Sequence, residues 1–459
     1  MLPRRPSVPW AVGCGAFVAA LAAAGCAPAT PVPSLRPTGV AATPPTPPTP
    51  TAGDTACEIA AGPPTRHDSL SIALTEPVDP AHAPAPRTDA ERLVFRQLYE
   101  TLIRADCHGR IAPGLAETWT RDETGRRWTF TLRPDARFWD GAPVTARDVL
   151  ASWVSHDSSW ADAARTAGER VLHVLLPRAA DSVPRLFADP ALAVSKPAPD
   201  RAWPIGTGRF WVSATTSSAQ EIRATPTPDQ HDLPVAVFRV FLPGAARDAL
   251  DAAVDLLVTG DPAVIDYAAT RAEYAALPLP WDRTYVLVTA PGGGDGASSI
   301  TSADLDDLRR AVHVDARAAD RFFWWWGLTG CELAPARDPG PARPGRAPGR
   351  LLYERLDRTA QDLADRLVAR SLVGRGTVAA GLAPDAFATA LAAGGDAASL
   401  VVFHRLAAAR CSDAEQVPAL ARAGASLVPL VDTRLHAVLR RGLPQLALDW
   451  DGTVRLGPP

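Results

Sequence analysis

The sequence predicts an α/β fold of more than one lobe, on three observations. From Arg66 to Pro459 the chain is long enough for two or three lobes on length alone. Short segments that read as strands recur along it, at Ser69–Leu74, Trp128–Leu132 and Ser399–Phe403. Among them lie segments with apolar residues at helical spacing, such as Leu93, Val94, Leu98 and Leu102.

The N-terminus reads as an export signal. Arg4 and Arg5 precede an apolar run from Trp10 to Ala24, which is the order of a signal peptide. The run is shorter than the roughly 20 residues of a comfortable membrane span. Ala24-Gly25-Cys26 closes it with the small-small-Cys ending of a lipobox, although Ala23 stands where a lipobox usually carries Leu. Cys26 is the expected lipidation site, with ordinary secretion as the alternative. Residues 26–65 are assigned to a tether, because Ala27–Thr55 is rich in Pro, Thr and Ala and lacks a hydrophobic period. Such a stretch cannot build a core and favours extended polyproline II, so it reads as a semi-rigid tether.

The elements follow in order. Ser69–Leu74 alternates and is β-rich, and the turn Thr75–Pro80 ends it. A helix is expected over Ala90–Ile103, and short strands over Trp128–Leu132 and Arg137–Trp139. Asp140-Gly141 is a tight turn, and Thr145 is placed to cap a helix over Thr145–Val154. Gly206 and Gly208 supply backbone freedom to a turn at Pro204–Phe210. That pair lacks the spacing and the Lys of a phosphate loop. Further helices are expected over Ser302–Val314 and Leu352–Leu372.

Composition narrows the function classes. The net charge is -3 and no basic block exists, so nucleic acid is not an expected partner. The nine His have no i, i+4 or close loop spacing suited to a metal site, and the single Met excludes a Met-rich copper site. No metal and no cofactor is expected. No GxSxG, SxxK or HExxH motif is present, so the chain is not expected to be an enzyme.

Leu98–Trp153 carries a dense pattern: Tyr99-Glu100, Pro113-Gly114-Leu115-Ala116, Trp119, Phe130, Leu132-Arg133, Phe138, Asp140-Gly141, Val144, Ala146 and Asp148-Val149. It closely resembles the N-terminal signature of the family 5 extracellular solute-binding proteins. These are the oligopeptide, dipeptide and nickel receptors of bacterial ABC importers. Pro204–Phe210, Asp251–Val258, Thr284–Thr289 and Leu308-Arg309-Arg310-Ala311 resemble later family segments. The resemblance implies a two-lobed periplasmic-binding-protein-like α/β fold of class II, with the ligand cleft between the lobes. Lobe I is then 66–283, with an extra subdomain at about 101–199. Lobe II is 284–435, and 436–459 returns to lobe I.

Candidate ligand contacts follow from that placement. Glu76 ends the first strand, where the family often contacts ligand; a solvated Glu is the alternative. Tyr285 begins the crossover strand and either presents its hydroxyl to the cleft or is structurally buried. Trp324 and Trp325, within the aromatic run Phe322–Trp326, are read as a helix end. At about 100° per residue the rings spread round the axis, so one or two can stack on a solute while the rest pack lobe II. His404 and Arg405 fall where peptide-binding relatives carry an Asp for the ligand's amino terminus. An Arg there suits a carboxylate or phosphate, which favours an anionic or sugar-like solute. The alternatives are Asp413 in the role of that Asp, or Arg405 on the surface.

Of six cysteines, Cys14 leaves with the signal and Cys26 takes lipid. Cys57, Cys107, Cys331 and Cys411 remain, and four cysteines allow three pairings. The within-lobe choice, Cys57–Cys107 with Cys331–Cys411, is favoured. Taken together, the resemblance implies a monomeric, lipid-anchored receptor outside the cytoplasm. Its partners would be a peptide or other small solute, an ABC permease, and the bilayer through acylated Cys26. A diverged scaffold used for sensing or envelope interactions is the alternative.

Overall fold

The computed structural model describes residues 57–65, 67–216, 221–241, 245–289, 307–308, 310, 324–325, 349–373, 376–393, 399–404 and 426–457. All lie in one compact unit, 48–459.

The first lobe is built on strands β1 (Ser69–Leu74), β2 (Phe210–Thr215), β3 (Glu221–Pro226), β4 (Val235–Val240), β5 (Leu256–Thr259) and β6 (Tyr274–Pro278). The second lobe holds β7 (Arg283–Thr289), β8 (Trp324–Trp325), β9 (Arg350–Glu354), β10 (Val378–Leu382), β11 (Ser399–His404) and β12 (Ser426–Thr433). The chain then returns to the first lobe as β13 (His436–Arg440). Three helices matter for the site: α1 (Asp89–Leu98), α2 (Ala146–His156) and α3 (Arg358–Ala369).

The seven strands of lobe I run in the order β2-β3-β4-β1-β5-β13-β6. The centre is parallel: β1 pairs with β4 from Val235↔Ser69 to Val240↔Leu74, and with β5. Parallel strands are covered on both faces, so their sequences lose strict alternation. Accordingly Leu70, Ile72, Ala73 and Leu74 are all buried. Helix α1 packs Leu93, Val94, Phe95 and Leu98 onto this sheet. Thr88 caps it, accepting from the Glu91 N–H at 3.1 Å.

A four-stranded antiparallel sheet stands beside it, in the order Ala116–Arg121, Arg127–Leu132, Val171–Leu175, Ala164–Thr166. Its core centres on Phe130 and Phe187, whose rings meet edge-on at 4.6 Å, and on Trp153 of α2. Trp153 Nε1 donates to the Leu192 carbonyl at 2.8 Å, which satisfies the one polar atom of a fully buried ring. Thr145 and Asp148 form a capping box at the start of α2. The Cys57–Cys107 disulfide ties the strand at Glu58–Ile59 to the loop after Ile103–Ala105.

Lobe II is a six-stranded sheet in the order β8-β12-β7-β11-β9-β10. Two segments connect the lobes, Leu279–Asp282 outward and Arg434–Leu435 back. They are joined side by side, since the Leu279 N–H donates to the Leu435 carbonyl at 2.9 Å. Arg434 lies over the Trp281 ring at 4.7 Å. Thr284 Oγ1 donates to Asp432 Oδ1 at 2.7 Å at the root of lobe II.

Several elements differ from the sequence reading. The helix expected over Ala90–Ile103 stops at Leu98 because Tyr99 is extended, and Ile103 enters a strand. Arg137–Trp139 makes only an isolated bridge from Arg137 to Pro143. The helix expected over Leu352–Leu372 is two elements: β9 holds Leu352 and Tyr353, and α3 begins only after Asp357 caps it. Trp324 and Trp325 are not a helix end. They form an edge strand opposite Thr433 and Asp432, which suits aromatic β-propensity. Gly206 and Gly208 do not have positive φ. They are needed because a Cβ at either would overlap backbone at the end of α1, the Leu98 carbonyl and the Gln97 carbonyl respectively.

Candidate functional site

In open α/β sheets a ligand sits beyond the carboxyl ends of the parallel strands. Here that edge of lobe I carries Glu76, just past β1, and the N-terminus of α1. The Ala90 N–H donates to the Glu76 carboxylate, which places the acid on the positive end of a helix dipole. Its other oxygen, Oε2, is buried with no hydrogen-bond partner among the described residues. Burial first, then the charges of Asp89 and Glu354, push Glu76 up to about 7. Glu354 ends β9, so the two acids face each other from different lobes.

Arg283 lies between them. It opens β7, and its Nη2 donates to Asp89 Oδ2 at 2.5 Å, an ion pair from lobe II to α1 of lobe I. Its Nε is 3.6 Å from Asp282 Oδ2. Burial alone would lower the guanidinium, but Asp89 and Asp282 outweigh it and hold it above its ordinary value. Asp282 is itself buried, and that desolvation raises it to about 7 despite Arg283. Asp357 caps α3 by accepting from the Ala360 N–H at 2.9 Å. Burial raises the Asp357 and Glu354 carboxyls. The described walls therefore bring five carboxylates, Glu76, Asp89, Asp282, Glu354 and Asp357, around one guanidinium. A cationic group entering there would relieve like-charge repulsion and give Glu76 Oε2 a partner.

The residues expected from sequence fall differently within this frame. Glu76 is at the cleft. Tyr285 is buried at the same place, but its hydroxyl donates to both Asp357 oxygens, at 3.1 and 3.0 Å. It thus braces the start of α3. Trp324, Trp325 and His404 have described backbones, at the outer edge of the lobe II sheet and opposite Arg283 in β11. Their side chains lie outside the described set. Arg405, Asp413, Cys26, Cys331 and Cys411 lie outside the described residues altogether. The sequence reading missed Asp89, Asp282, Arg283, Glu354 and Asp357. The signal for two of them was on view: Asp282-Arg283 directly precedes the crossover strand.

Among the described residues one cluster has metal-ligand proximity, Cys57, Cys107 and His108. Its two cysteines are joined to each other, so neither offers a thiolate.

Comparison with known proteins agrees with this architecture. The model of the bacterial extracellular solute-binding proteins, family 5 middle region, matches residues 110–249. The periplasmic oligopeptide-binding protein OppA of Escherichia coli K12 is 46% identical over 63 residues, which is 14% of this chain and 11% of that protein. The match thus spans about a ninth of that relative's length. Two solved structures superpose on most of the chain. The pheromone receptor PrgZ, described with its mode of peptide binding, has a TM-score of 0.63 at 14% identity, covering 86% of this chain and all of that one. NikA from Brucella suis in complex with Fe(III)-EDTA has a TM-score of 0.61 at 16% identity, again over 86% of this chain and all of that one. At such identities the likeness carries the fold alone. The motif run from Tyr99 to Val149 supplies the sequence link, and over residues 110–249 the chain is similar to the middle region of the family 5 bacterial extracellular solute-binding proteins.

Proposed function

We propose that the protein is a receptor outside the cytoplasm, anchored by lipid on Cys26, that delivers a solute with a cationic group to an ABC permease. The observation that carries the solute class is Glu76, whose buried Oε2 has no partner among the described residues while Glu354 faces it from the opposite lobe. A free amine or guanidinium between them would bind both lobes at once. Its affinity for the closed form would then exceed that for the open form, which is the condition for a ligand to drive closure. Arg283 is the permanent strut of that arrangement, since it already links β7 to Asp89.

This reverses the anionic or sugar-like solute that His404 and Arg405 suggest. The backbone of His404 pairs opposite Arg283, and the acids that surround Glu76 would repel an anion. The ligands of those two solved structures, a peptide for PrgZ and Fe(III)-EDTA for NikA, fit the general role. The peptide, with its free amine, fits these acids better.

A thermal-shift screen tests the reading, since a ligand of the native state raises its melting temperature. The library would hold di- to pentapeptides, free amines, sugars, organic anions and metal chelates. Hits among peptides or amines, lost in Glu76→Gln, are expected. Hits confined to anions or sugars would sink the cationic assignment. A folded protein with no hit in any class would favour the non-transport scaffold.

A further inference from the structure

A second charged cavity lies in lobe I at the other end of α1, about 15 Å from Asp89 at 1.5 Å per helical residue. It measures about 40 Å³ and is lined by Arg96, Arg104, Arg209 and Arg455, with Glu100 and Asp449 as the counter-charges in its wall and Asp451 bound to Arg96 at 2.9 Å behind it. Four guanidinium groups against three carboxylates leave one positive charge. Both wall carboxylates are already engaged: Arg133 Nη2 donates to Glu100 Oε2 at 3.0 Å, and Arg96 Nε lies 3.0 Å from Asp449 Oδ2. Arg455 reaches Asp449 only at 3.7 Å, and its Nε is buried with no acceptor among the described residues. Burial and then the charge of Arg455 lower Arg104, and burial followed by Arg455 and Arg104 lowers Arg209. The guanidinium groups therefore repel one another inside the protein.

The cluster is fixed rather than loose. Gln97 on α1 donates to the Val454 carbonyl at 2.9 Å and accepts from the Leu456 N–H at 2.9 Å, gripping Arg455 from both sides. Arg104 is held by its Nε, which donates to the Pro113 carbonyl at 3.0 Å. Held cations with surplus charge and an unused donor make an anion receptor. The cavity has room for three or four waters at about 10–15 Å³ each, the size of a small tetrahedral anion. A lipid headgroup with its glycerol would not fit.

We propose that this pocket binds a free oxyanion of the phosphate or sulfate class through Arg104, Arg209 and Arg455. It belongs to lobe I alone, so it stands or falls independently of the solute in the cleft.

The test is thermal denaturation of the full chain in increasing inorganic phosphate, with sodium chloride holding ionic strength constant. A saturable rise in melting temperature is expected, at least tenfold weaker in both Arg455→Gln and Arg209→Gln. General exclusion of phosphate from protein surfaces also stabilises, but that effect would persist unchanged in the variants. Equal shifts in wild type and variants would overturn the proposal, as would no shift at all. Without phosphate, each variant should melt at or above wild type, because one repelling charge is gone. A variant that melts well below wild type there would show the arginine to be a structural counter-charge, and the assignment would fail. Direct titration of wild type by calorimetry, with competition between phosphate and sulfate, reads the same site without any variant.

Discussion

The two ends of α1 hold buried charge of opposite sign, and they differ in who supplies it. At the N-terminal end, Asp89 and Glu76 of lobe I meet Arg283, Glu354 and Asp357 of lobe II. At the C-terminal end, Arg96, Arg104, Arg209 and Arg455 all belong to lobe I. A cluster drawn from two bodies changes its energy when they move, so it can couple a solute to closure. A cluster drawn from one body keeps its geometry whatever the lobes do. Between the two ends, Asp451 is fully enclosed by Arg92 at 3.6 Å and Arg96 at 2.9 Å. Burial pushes its carboxyl up, but Arg96 and Arg92 outweigh it and hold it at about 2.

The largest effect should come from breaking that shared middle. Asp451→Ala leaves Arg96 with Asp449 at 3.0 Å and Arg92 with Asp89 at 4.0 Å, but takes away the carboxylate they share, and breaking such a buried pair costs up to about 3–5 kcal/mol. Chemical denaturation would measure it. A cost below about 1 kcal/mol would mean that the C-terminal end of α1 is not the rigid half of the comparison.

Next comes the cleft. Glu76→Gln should weaken a cationic solute at least tenfold, about 1.4 kcal/mol in binding free energy, by titration calorimetry. At pH 8 the same variant should melt higher than wild type, because it removes a carboxylate that is costly to ionise. Loss of stability instead would make Glu76 a structural acid.

The pH dependence separates stability from affinity. Glu76 and Asp282 stand at about 7 in the fold, above ordinary values of 4.5 and 3.8. The native state therefore holds these protons more tightly than the unfolded chain. Their contribution to stability is full below about pH 4, and it is lost as pH rises through 7. Wild type should melt a few degrees higher at pH 5.5 than at pH 8, and Glu76→Gln should narrow that gap. Affinity for a cation should move the opposite way, falling as Glu76 takes its proton. Parallel movement of both would mean that the solute does not meet Glu76. Asp451 stays ionised across this window and contributes nothing to it.

The sequence was most legible where local chemistry decides the structure. Thr145 forms the N-cap expected of it, with Asp148 completing a capping box, and the signature from Tyr99 to Val149 led to the right fold. The site was less legible because its members are defined by burial across the lobes. Leu352 and Tyr353 fit either period, and reading them as helix hid Glu354 at a strand end and Asp357 at a cap. Asp282-Arg283 looks like an ordinary solvated pair until the crossover buries it. Arg209 and Arg455 are far apart in the chain, and the pairing of the final strand with Leu446–Leu448 and its bonds to Gln97 bring them into one cavity.

Tyr285 gives the smallest and most discriminating test of the cleft. Its hydroxyl lies 3.0 Å from Asp357 Oδ2, behind the N-terminus of α3. If it is a brace, Tyr285→Phe removes one hydrogen bond and costs about 1 kcal/mol of stability. Solute affinity should then change less than about twofold, because Glu76 and Glu354 keep their places. A tenfold loss of affinity with unchanged melting would return the hydroxyl to the solute, as the sequence alone allowed. The lobe II wall of the cleft would then be set by Tyr285 as well as by Glu354, and its acidity would no longer suffice to name the solute's charge.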